Sequence, residues 1–109
     1  MVLTVFRARL KPENVEEYYQ WAARMGEMAR TMPGYVSHKS FTAEDGERVT
    51  IVEFADERGQ EGWRTRHEHV EAQKKGRASF YTEYKLQICE VVRESAFVDR
   101  QESGRKVPG

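Results

Sequence analysis

Apolar and polar residues alternate along the beginning of the chain, over residues 1–10. Leu3 and Val5 fall on one side, together with two arginines, whereas Phe6 and Ala8 fall on the other. An alternation with a period of two that is rich in β-branched residues predicts a β-strand. The side that carries Leu3 and Val5 is therefore half apolar and half charged.

The same alternation returns in three later stretches, which are residues 35–42, 48–55 and 81–93. The first two flank an acidic, glycine-containing turn at residues 44–47, so they predict an antiparallel hairpin. Residues 81–93 form the last and longest predicted strand, in which Tyr84 and Cys89 fall on opposite sides. We expect Cys89 to be a small buried thiol, because free cysteines are most often buried.

Between these strands, apolar residues recur at steps of three and four, the spacing of amphipathic helices. Residues 15–32 form the first such stretch, and Asn14 with Glu17 resembles a capping box at its beginning. The second stretch follows Asp56, which we expect to cap it, and continues as one helix to Gly76. Both predicted helices therefore begin at a side chain that accepts hydrogen bonds from the first backbone N–H groups.

The predicted order of elements is βαββαβ. With right-handed crossovers, this order predicts an α+β, ferredoxin-like fold, in which a four-stranded antiparallel sheet carries two helices on one face. The half-apolar side of the first strand then lies on the face without helices. Because a monomer rarely leaves such a face in water, we expect two copies to pack there as a homodimer.

Length, charge and cysteine content exclude several classes of function. A chain of 109 residues fits one compact domain. Its 18 basic and 18 acidic residues cancel, so no net field attracts nucleic acid or an anionic membrane. A single cysteine excludes an internal disulfide, and no apolar stretch reaches the ~18 residues of a membrane span. We therefore expect a cytoplasmic protein with no nucleic-acid or membrane partner.

One run of residues late in the chain resembles a known family. It reads Trp63-(three residues)-His67-Glu68-His69-(two)-Ala72-Gln73-(two)-Gly76-Arg77-(two)-Phe80-Tyr81-(two)-Tyr84. Together with the earlier Met32-Pro33-Gly34-Tyr35, this run resembles the antibiotic biosynthesis monooxygenase (ABM) family. The resemblance covers residues 1–94, which we expect to form the domain, and leaves 95–109 as a polar, mobile tail.

The resemblance implies an assembly and an activity. Members of the family form dimeric α/β barrels from two ferredoxin-like sheets packed face to face, and characterised relatives oxidise phenolic or quinol-like compounds with O₂. They use neither metal nor flavin, because an electron-rich phenolate can itself reduce O₂ in an apolar, shielded pocket. By resemblance, this chain is a cofactor-independent monooxygenase that acts on a small aromatic molecule.

The same resemblance points to two candidate catalytic residues. His69 is the first, since an imidazole that is neutral near pH 7 can accept a phenol proton or ligate heme iron. The alternative for His69 is a structural hydrogen bond on the helix face. Tyr84 is the second, because its hydroxyl can position a substrate oxygen if it is buried.

The candidate substrate-binding residues each have a purely structural alternative. The aromatic candidates, which either line a cavity or simply fill it, are Trp63, Tyr81 and Tyr18. Arg77 either pairs with a substrate carboxylate or a heme propionate, or forms a salt bridge to a local acid such as Glu83.

Two other functions stay open at this point. A related branch of the fold binds and degrades heme with a first-strand asparagine, which this chain lacks, although Trp63 and His69 are present. Alternatively, the chain is a non-catalytic dimeric protein that binds a small ligand or acts in stress. No metal site is expected, because His67 and His69 point about 200° apart on a helix and no third ligand is evident.

Charged residues on the first strand need partners if a dimer buries them. Arg7 and Arg9 alternate with Val5 on the side that we expect to be covered. Burying a charge is unfavourable unless an opposite charge pairs with it. Glu53 and Glu90 are the partners that the sequence suggests.

Overall fold

A computed structural model describes residues 1–99, apart from the side chains of His67 and Glu68. The strands are β1 (Val2–Leu10), β2 (Tyr35–Thr42), β3 (Arg48–Phe54) and β4 (Tyr81–Glu90), and the helices are α1 (Val15–Arg30), α2 (Glu57–Arg64) and α3 (His67–Lys75). A 3₁₀ turn, Pro12–Asn14, precedes α1, and a π-helical turn, Gly76–Phe80, precedes β4. Residues 100–109 of the expected tail lie outside the described residues.

The four strands form one antiparallel sheet in the order β2-β3-β1-β4. Helices make both crossovers and pack on one side of the sheet, which is the ferredoxin-like arrangement. The predicted α+β fold is therefore confirmed. We call the side against the helices the covered face, and the other side, on which no described element packs, the uncovered face. No helix within residues 1–99 is long and apolar enough to cross a membrane.

The residues of β1 divide between the two faces as their alternation predicts. Val2 and Ala8 are buried on the covered face, whereas Leu3 and Val5 are half-buried on the uncovered face. Val5 pairs with Ile51 of β3, so the apolar strip extends across the neighbouring strand. The uncovered face is thus partly apolar in the folded chain.

The core lies between α1, α2 and the covered face. Its buried members are Met25, Met28, Ala29, Val52, Phe54 and Trp63. Asp56 caps α2 as predicted, since its carboxylate accepts a hydrogen bond from the Gly59 N–H at 2.9 Å. A Cβ at Gly59 would lie 2.5 Å from the Pro33 carbonyl oxygen. This close approach explains a glycine inside a helix that it would otherwise weaken.

The second predicted helix is in fact two helices. Arg66 has an extended backbone, so α2 and α3 replace the single helix expected between Asp56 and Gly76. The Thr65 hydroxyl donates a hydrogen bond to the Glu61 carbonyl oxygen at 2.8 Å, a local bond that competes with continued helix. The chain also continues through Gly76 into the π-helical turn rather than ending there.

Two other expectations about individual residues are wrong. Asn14 does not cap α1; its side chain donates a hydrogen bond to the Ser79 carbonyl oxygen at 2.7 Å and so joins α1 to the π-helical turn. Cys89 is exposed rather than buried, because it pairs with Leu3 and so lies on the uncovered face of an edge strand. This strand also ends at Glu90, before the predicted end at residue 93.

The arginines of β1 pair with acids of the β2–β3 turn. Arg7 Nε lies 2.9 Å from a Glu47 carboxylate oxygen, and Arg9 Nη2 lies 2.9 Å from an Asp45 carboxylate oxygen. Hydrogen bonds from these arginines lower the pKa of both carboxyls below their usual range. Antiparallel pairing of β1 with β3 brings the turn beside the end of β1, which residue spacing alone does not reveal.

The partners that the sequence suggests for these arginines are wrong. Glu53 instead accepts a hydrogen bond from the Ser37 hydroxyl at 2.5 Å, and no described ion pair involves Glu90. Glu83 lies 3.6 Å from Arg9, so it pairs with this arginine rather than with Arg77. The charges on the uncovered face thus form one local network.

Candidate functional site

A cavity of about 610 Å³ lies between the covered face and the helices. Its volume is in the range of sites that bind small molecules. Aromatic side chains form much of its wall, among them Phe6, Tyr18, Trp21, Trp63, Tyr81 and Tyr84. Such a wall fits a flat, largely apolar ligand.

The structure brings the sequence candidates together around this cavity. They are Tyr18, Trp63, His69, Arg77, Tyr81 and Tyr84. Tyr18 and Trp63 are buried, whereas Arg77 is exposed and Tyr84 is 43% exposed. Arg77 and Tyr84 therefore belong to the rim of the cavity, and the positioning role of Tyr84, which requires a buried side chain, stays a prediction.

Trp63 both anchors α2 and forms part of the cavity wall. Its indole N–H donates a hydrogen bond to the Met25 carbonyl oxygen at 3.2 Å. Its ring centroid lies 5.7 Å from that of Phe54 in the core and 4.3 Å from that of His69. The two roles that were alternatives at the level of sequence therefore coexist in one side chain.

His69 lies near the beginning of α3, against Trp63. Burial lowers the pKa of His69 to about 4; a hydrogen bond with the Arg64 backbone opposes this shift, and the Arg64 charge adds to it. The imidazole is therefore neutral at neutral pH. Its Nδ1 is buried and has no hydrogen-bond partner among the described residues.

The same features make His69 the described residue best suited to hold a heme iron. Iron binds a neutral imidazole nitrogen, and Trp63 beside it provides a flat apolar surface. For a metal ion held by several side chains, the described side chains offer no group of three His, Cys, Asp or Glu.

Two buried tyrosines form another part of the wall. The ring centroids of Tyr18 and Tyr81 lie 5.8 Å apart. Burial raises the pKa of both hydroxyls, so both stay protonated at neutral pH. The Tyr18 hydroxyl accepts a hydrogen bond from Arg48 Nε at 3.1 Å. The Tyr81 ring packs directly against Gly76, where a Cβ would overlap the ring. This position therefore requires a glycine.

Sequence reasoning missed a set of polar atoms in the cavity. Within the described part of the chain, no hydrogen-bond partner exists for Thr4 Oγ1, Arg64 Nε or either amide atom of Gln60. All three side chains line the cavity, and Thr4 and Gln60 are only 4% and 1% exposed. Buried polar atoms without partners are costly and rare in native proteins. Their concentration here, with His69 Nδ1, indicates a ligand-binding site.

A signal for one of these residues exists in the sequence. Thr4 is the polar member of the otherwise apolar side of β1, the side that carries Phe6 and Ala8. Gln60 and Arg64 carry no such signal, because polar residues at a spacing of four are ordinary on the exposed side of a helix. A polar residue that interrupts an apolar pattern is the feature to search for.

A second histidine in the wall, His38, also escaped the sequence analysis. Its Nδ1 lies 2.7 Å from the Tyr35 hydroxyl, and burial lowers its pKa. A Cβ at Gly26 would lie 3.0 Å from His38 Nε2, so α1 packs closely on the ring. The protein itself therefore fixes the orientation of His38.

Comparison with known proteins identifies the family. The family model for antibiotic biosynthesis monooxygenases matches residues 1–75. The chain therefore belongs to the antibiotic biosynthesis monooxygenase family, which confirms the resemblance carried by its sequence. YqjZ, an uncharacterized protein of Bacillus subtilis (strain 168), is 30% identical over 93 residues, which are 85% of this chain and 82% of YqjZ.

Two solved structures illustrate the shared fold. Rv0793 from Mycobacterium tuberculosis has a TM-score of 0.76 at 14% identity, over 87% of this chain and 98% of that one. A mutant of SnoaB, a cofactor-independent oxygenase from Streptomyces nogalater, has a TM-score of 0.71 at 18% identity, over 85% of this chain and 94% of that one. At these identities the likeness shows the fold alone.

Proposed function

We propose that this protein is a cofactor-independent monooxygenase that oxidises a small phenolic or quinol-like compound with O₂. The observation that carries the proposal is the cavity of about 610 Å³, which combines aromatic walls with buried polar atoms that have no partner among the described residues. Aromatic walls stack on a flat ring, and the polar atoms bind its oxygens. Membership of the monooxygenase family supports the proposal, as does the likeness to SnoaB.

The proposed chemistry needs no external reductant. In the keto tautomer of a phenol, a ring carbon carries two hydrogens, and monooxygenation converts this CH₂ into a carbonyl. The substrate supplies all four electrons, so one oxygen atom enters the product and the other leaves as water. The protein must bind the ring, help to remove a proton and keep bulk water away.

We assign His69 the role of proton acceptor. With a pKa of about 4 it is a weak base, so it first accepts the hydrogen bond of the substrate hydroxyl and takes the proton as negative charge develops. Tyr81 keeps its proton because burial raises its pKa, so its hydroxyl can donate to a substrate oxygen. Trp63 and Tyr18 hold the ring, and Arg77 and Tyr84 form the entrance.

Oxygen consumption with a panel of quinols tests the proposal. We expect uptake above the spontaneous rate that a metal chelator does not reduce. His69→Ala should lower this rate by about 100-fold, a typical loss for a general base. Glu71→Gln, an exposed change on the same helix, is the control and should leave the rate unaltered. No uptake with any quinol would contradict the proposal.

Heme binding is the second candidate function, because the Nδ1 of neutral His69 has no partner among the described side chains. Titration with heme should then produce a Soret band that His69→Ala abolishes and Glu71→Gln preserves. A protein that neither consumes oxygen nor binds heme would instead be a non-catalytic ligand-binding or stress protein of the same fold.

We also propose that two copies pair through the uncovered face. The apolar residues on this face are Leu3, Val5, Phe41, Val49 and Ile51. Phe41 is 49% exposed in the single chain, and a partly apolar strip of this kind is typical of an interface. Ile51→Asp should convert a dimer into a folded monomer in sedimentation analysis. A monomeric parent protein would contradict this pairing.

A further inference from the structure

The charge of the cavity wall differs from that of the whole chain. The chain is neutral, with 18 basic and 18 acidic residues. Three arginines line the cavity, namely Arg48, Arg64 and Arg77, and none of the described lining side chains is acidic. A cavity with fixed positive charge favours a ligand that carries negative charge.

Of these three arginines, Arg64 gives the most information about the chemistry of the ligand. Its Nε is inaccessible to water and has no hydrogen-bond partner among the described residues. In the described part of the chain it also lacks a carboxylate within 4.0 Å, although Arg7 and Arg9 each have one at 2.9 Å. Arg64 as a whole is only partly buried, but its Nε is a buried donor without the acceptor that such an atom normally has.

Gln60 places a second donor beside this arginine. It precedes Arg64 by four residues on α2, and side chains at this spacing are neighbours on a helix. Gln60 is 1% exposed, and neither its amide nitrogen nor its amide oxygen has a partner among the side chains that the structure describes. The Asp56 cap and the contact of Gly59 with Pro33 hold α2 in place. The two donors therefore form a preorganised pair.

We infer that the ligand of this cavity is an aromatic acid, whose carboxylate is bound by the Arg64 guanidinium and the Gln60 amide. The inference rests on the proposed function, because it names the substrate class of the same cavity. A carboxylate accepts hydrogen bonds from both donors and neutralises the charge of Arg64. The aromatic walls take the ring, so charge and shape select the same class of molecule.

A carboxylate at Arg64 also affects His69. The Arg64 charge is one of the causes that lower the pKa of His69. Neutralising that charge makes His69 a better proton acceptor than it is in the empty cavity. An acidic substrate would therefore strengthen the base that acts on it.

Two ligands of the same size test the inference by calorimetry on the full chain. They are 2-naphthoate and its neutral analogue 2-naphthamide. We expect the carboxylate to bind at least about tenfold more tightly, the usual effect of a charge-assisted hydrogen bond. Arg64→Gln should abolish this preference, and Arg64→Lys should retain part of it. Arg58→Gln removes the same charge from an exposed position of α2 and should preserve the preference.

Several results would overturn the inference. They are equal affinity for both ligands, no measurable binding of either, and a preference that survives Arg64→Gln. A third probe, 2-naphthol, tests whether Arg64 stabilises a phenolate oxygen instead of a carboxylate. If bound 2-naphthol ionises while naphthoate has no advantage, the arginine serves the reacting oxygen and the inference fails.

Failure of the inference is distinguishable from failure of the proposed function. Oxygen uptake with neutral quinols, without a preference for naphthoate, contradicts the inference alone. Tight naphthoate binding that depends on Arg64, without oxygen uptake, contradicts the proposed oxygenase and supports the acid-binding site. Circular dichroism of each variant checks that loss of binding is not loss of the fold.

Discussion

On the uncovered face, Arg7 and Arg9 contact Glu47 and Asp45 at 2.9 Å, whereas Arg64 of α2, which lines the cavity above the covered face, has no carboxylate within 4.0 Å among the described residues. The arginines on the two sides of the sheet thus differ in their partners. Pairing on the uncovered face satisfies the charges within the chain. On the side of the helices, several buried polar atoms of the cavity wall have no partner among the described residues, which is how a ligand-binding site differs from a structural network.

The same difference has a consequence for stability. Polar groups that are buried without partners destabilise a protein, because they lose water without gaining a hydrogen bond. Functional sites keep such groups at the expense of stability. Substitutions around the cavity should therefore change the free energy of unfolding more than substitutions on the uncovered face, and some of them should be stabilising.

The largest expected effect is a loss of stability at acidic pH, which originates at the buried His69. The pKa of His69 falls from 6.5 to about 4 on folding, so between these values the unfolded chain binds more protons than the folded one. Stability should therefore be complete above pH 6.5 and decrease as the pH falls to about 4. The loss is on the order of 3 kcal/mol. Urea unfolding of the protein and of His69→Phe across this range measures it.

The uncovered face should lose stability at lower pH. Its carboxyls, Asp45 and Glu47, have pKa values lowered from 3.8 and 4.5, so their contribution is present above those values and lost below them. A plot of the free energy of unfolding against pH should be flatter for His69→Phe between pH 6.5 and 4, and unchanged at more acidic pH. An unaltered profile in the variant would mean that His69 is not buried as the structure indicates.

Much of the fold could be predicted because it depends on local patterns. The alternation of β1 and the cap at Asp56 are properties of neighbouring residues, and both are confirmed. Two of the expectations that are wrong depend instead on contacts between residues far apart in the sequence. Asn14 bonds to Ser79 across the chain, and Arg7 finds Glu47 only because β3 folds back on β1.

The second expected effect is a gain of stability at Gln60. Gln60→Met keeps the length of the side chain but removes the two unpartnered amide atoms. We expect the free energy of unfolding to rise by about 1 kcal/mol, since an unsatisfied buried polar group is removed. The affinity for 2-naphthoate should fall at the same time. Chemical denaturation and calorimetry on one preparation measure both.

Gln20→Met is the matched control for this exchange. Gln20 is exposed on α1, so the same chemical change there should leave both stability and affinity almost unaltered. A destabilised Gln60→Met protein would show that the amide already has partners in solution, and the contrast between the two faces would lose its main support.

The candidate site illustrates where sequence reasoning stops. The family run contains Trp63, His69 and Tyr81, and these residues do line the cavity. Gln60 and Arg64 lie next to that run and look like ordinary surface residues of a helix. Only the absence of partners for their buried atoms distinguishes them, and this depends on the packing of α2 against the rest of the molecule.

The smallest expected effect is the coupling between Arg7 and Glu47 on the uncovered face. The Arg7 side chain is 43% exposed, so water screens the pair although its geometry is good, with two hydrogen bonds at 2.9 and 3.1 Å. A double-mutant cycle with Arg7→Ala and Glu47→Ala should therefore give a weak coupling in a monomeric Ile51→Asp background, and high salt should remove it. In the parent protein, pairing of two copies would exclude water from this face and strengthen the coupling. A strong, salt-resistant coupling in the monomer would mean that charge pairs stabilise the uncovered face as firmly as packing stabilises the covered one.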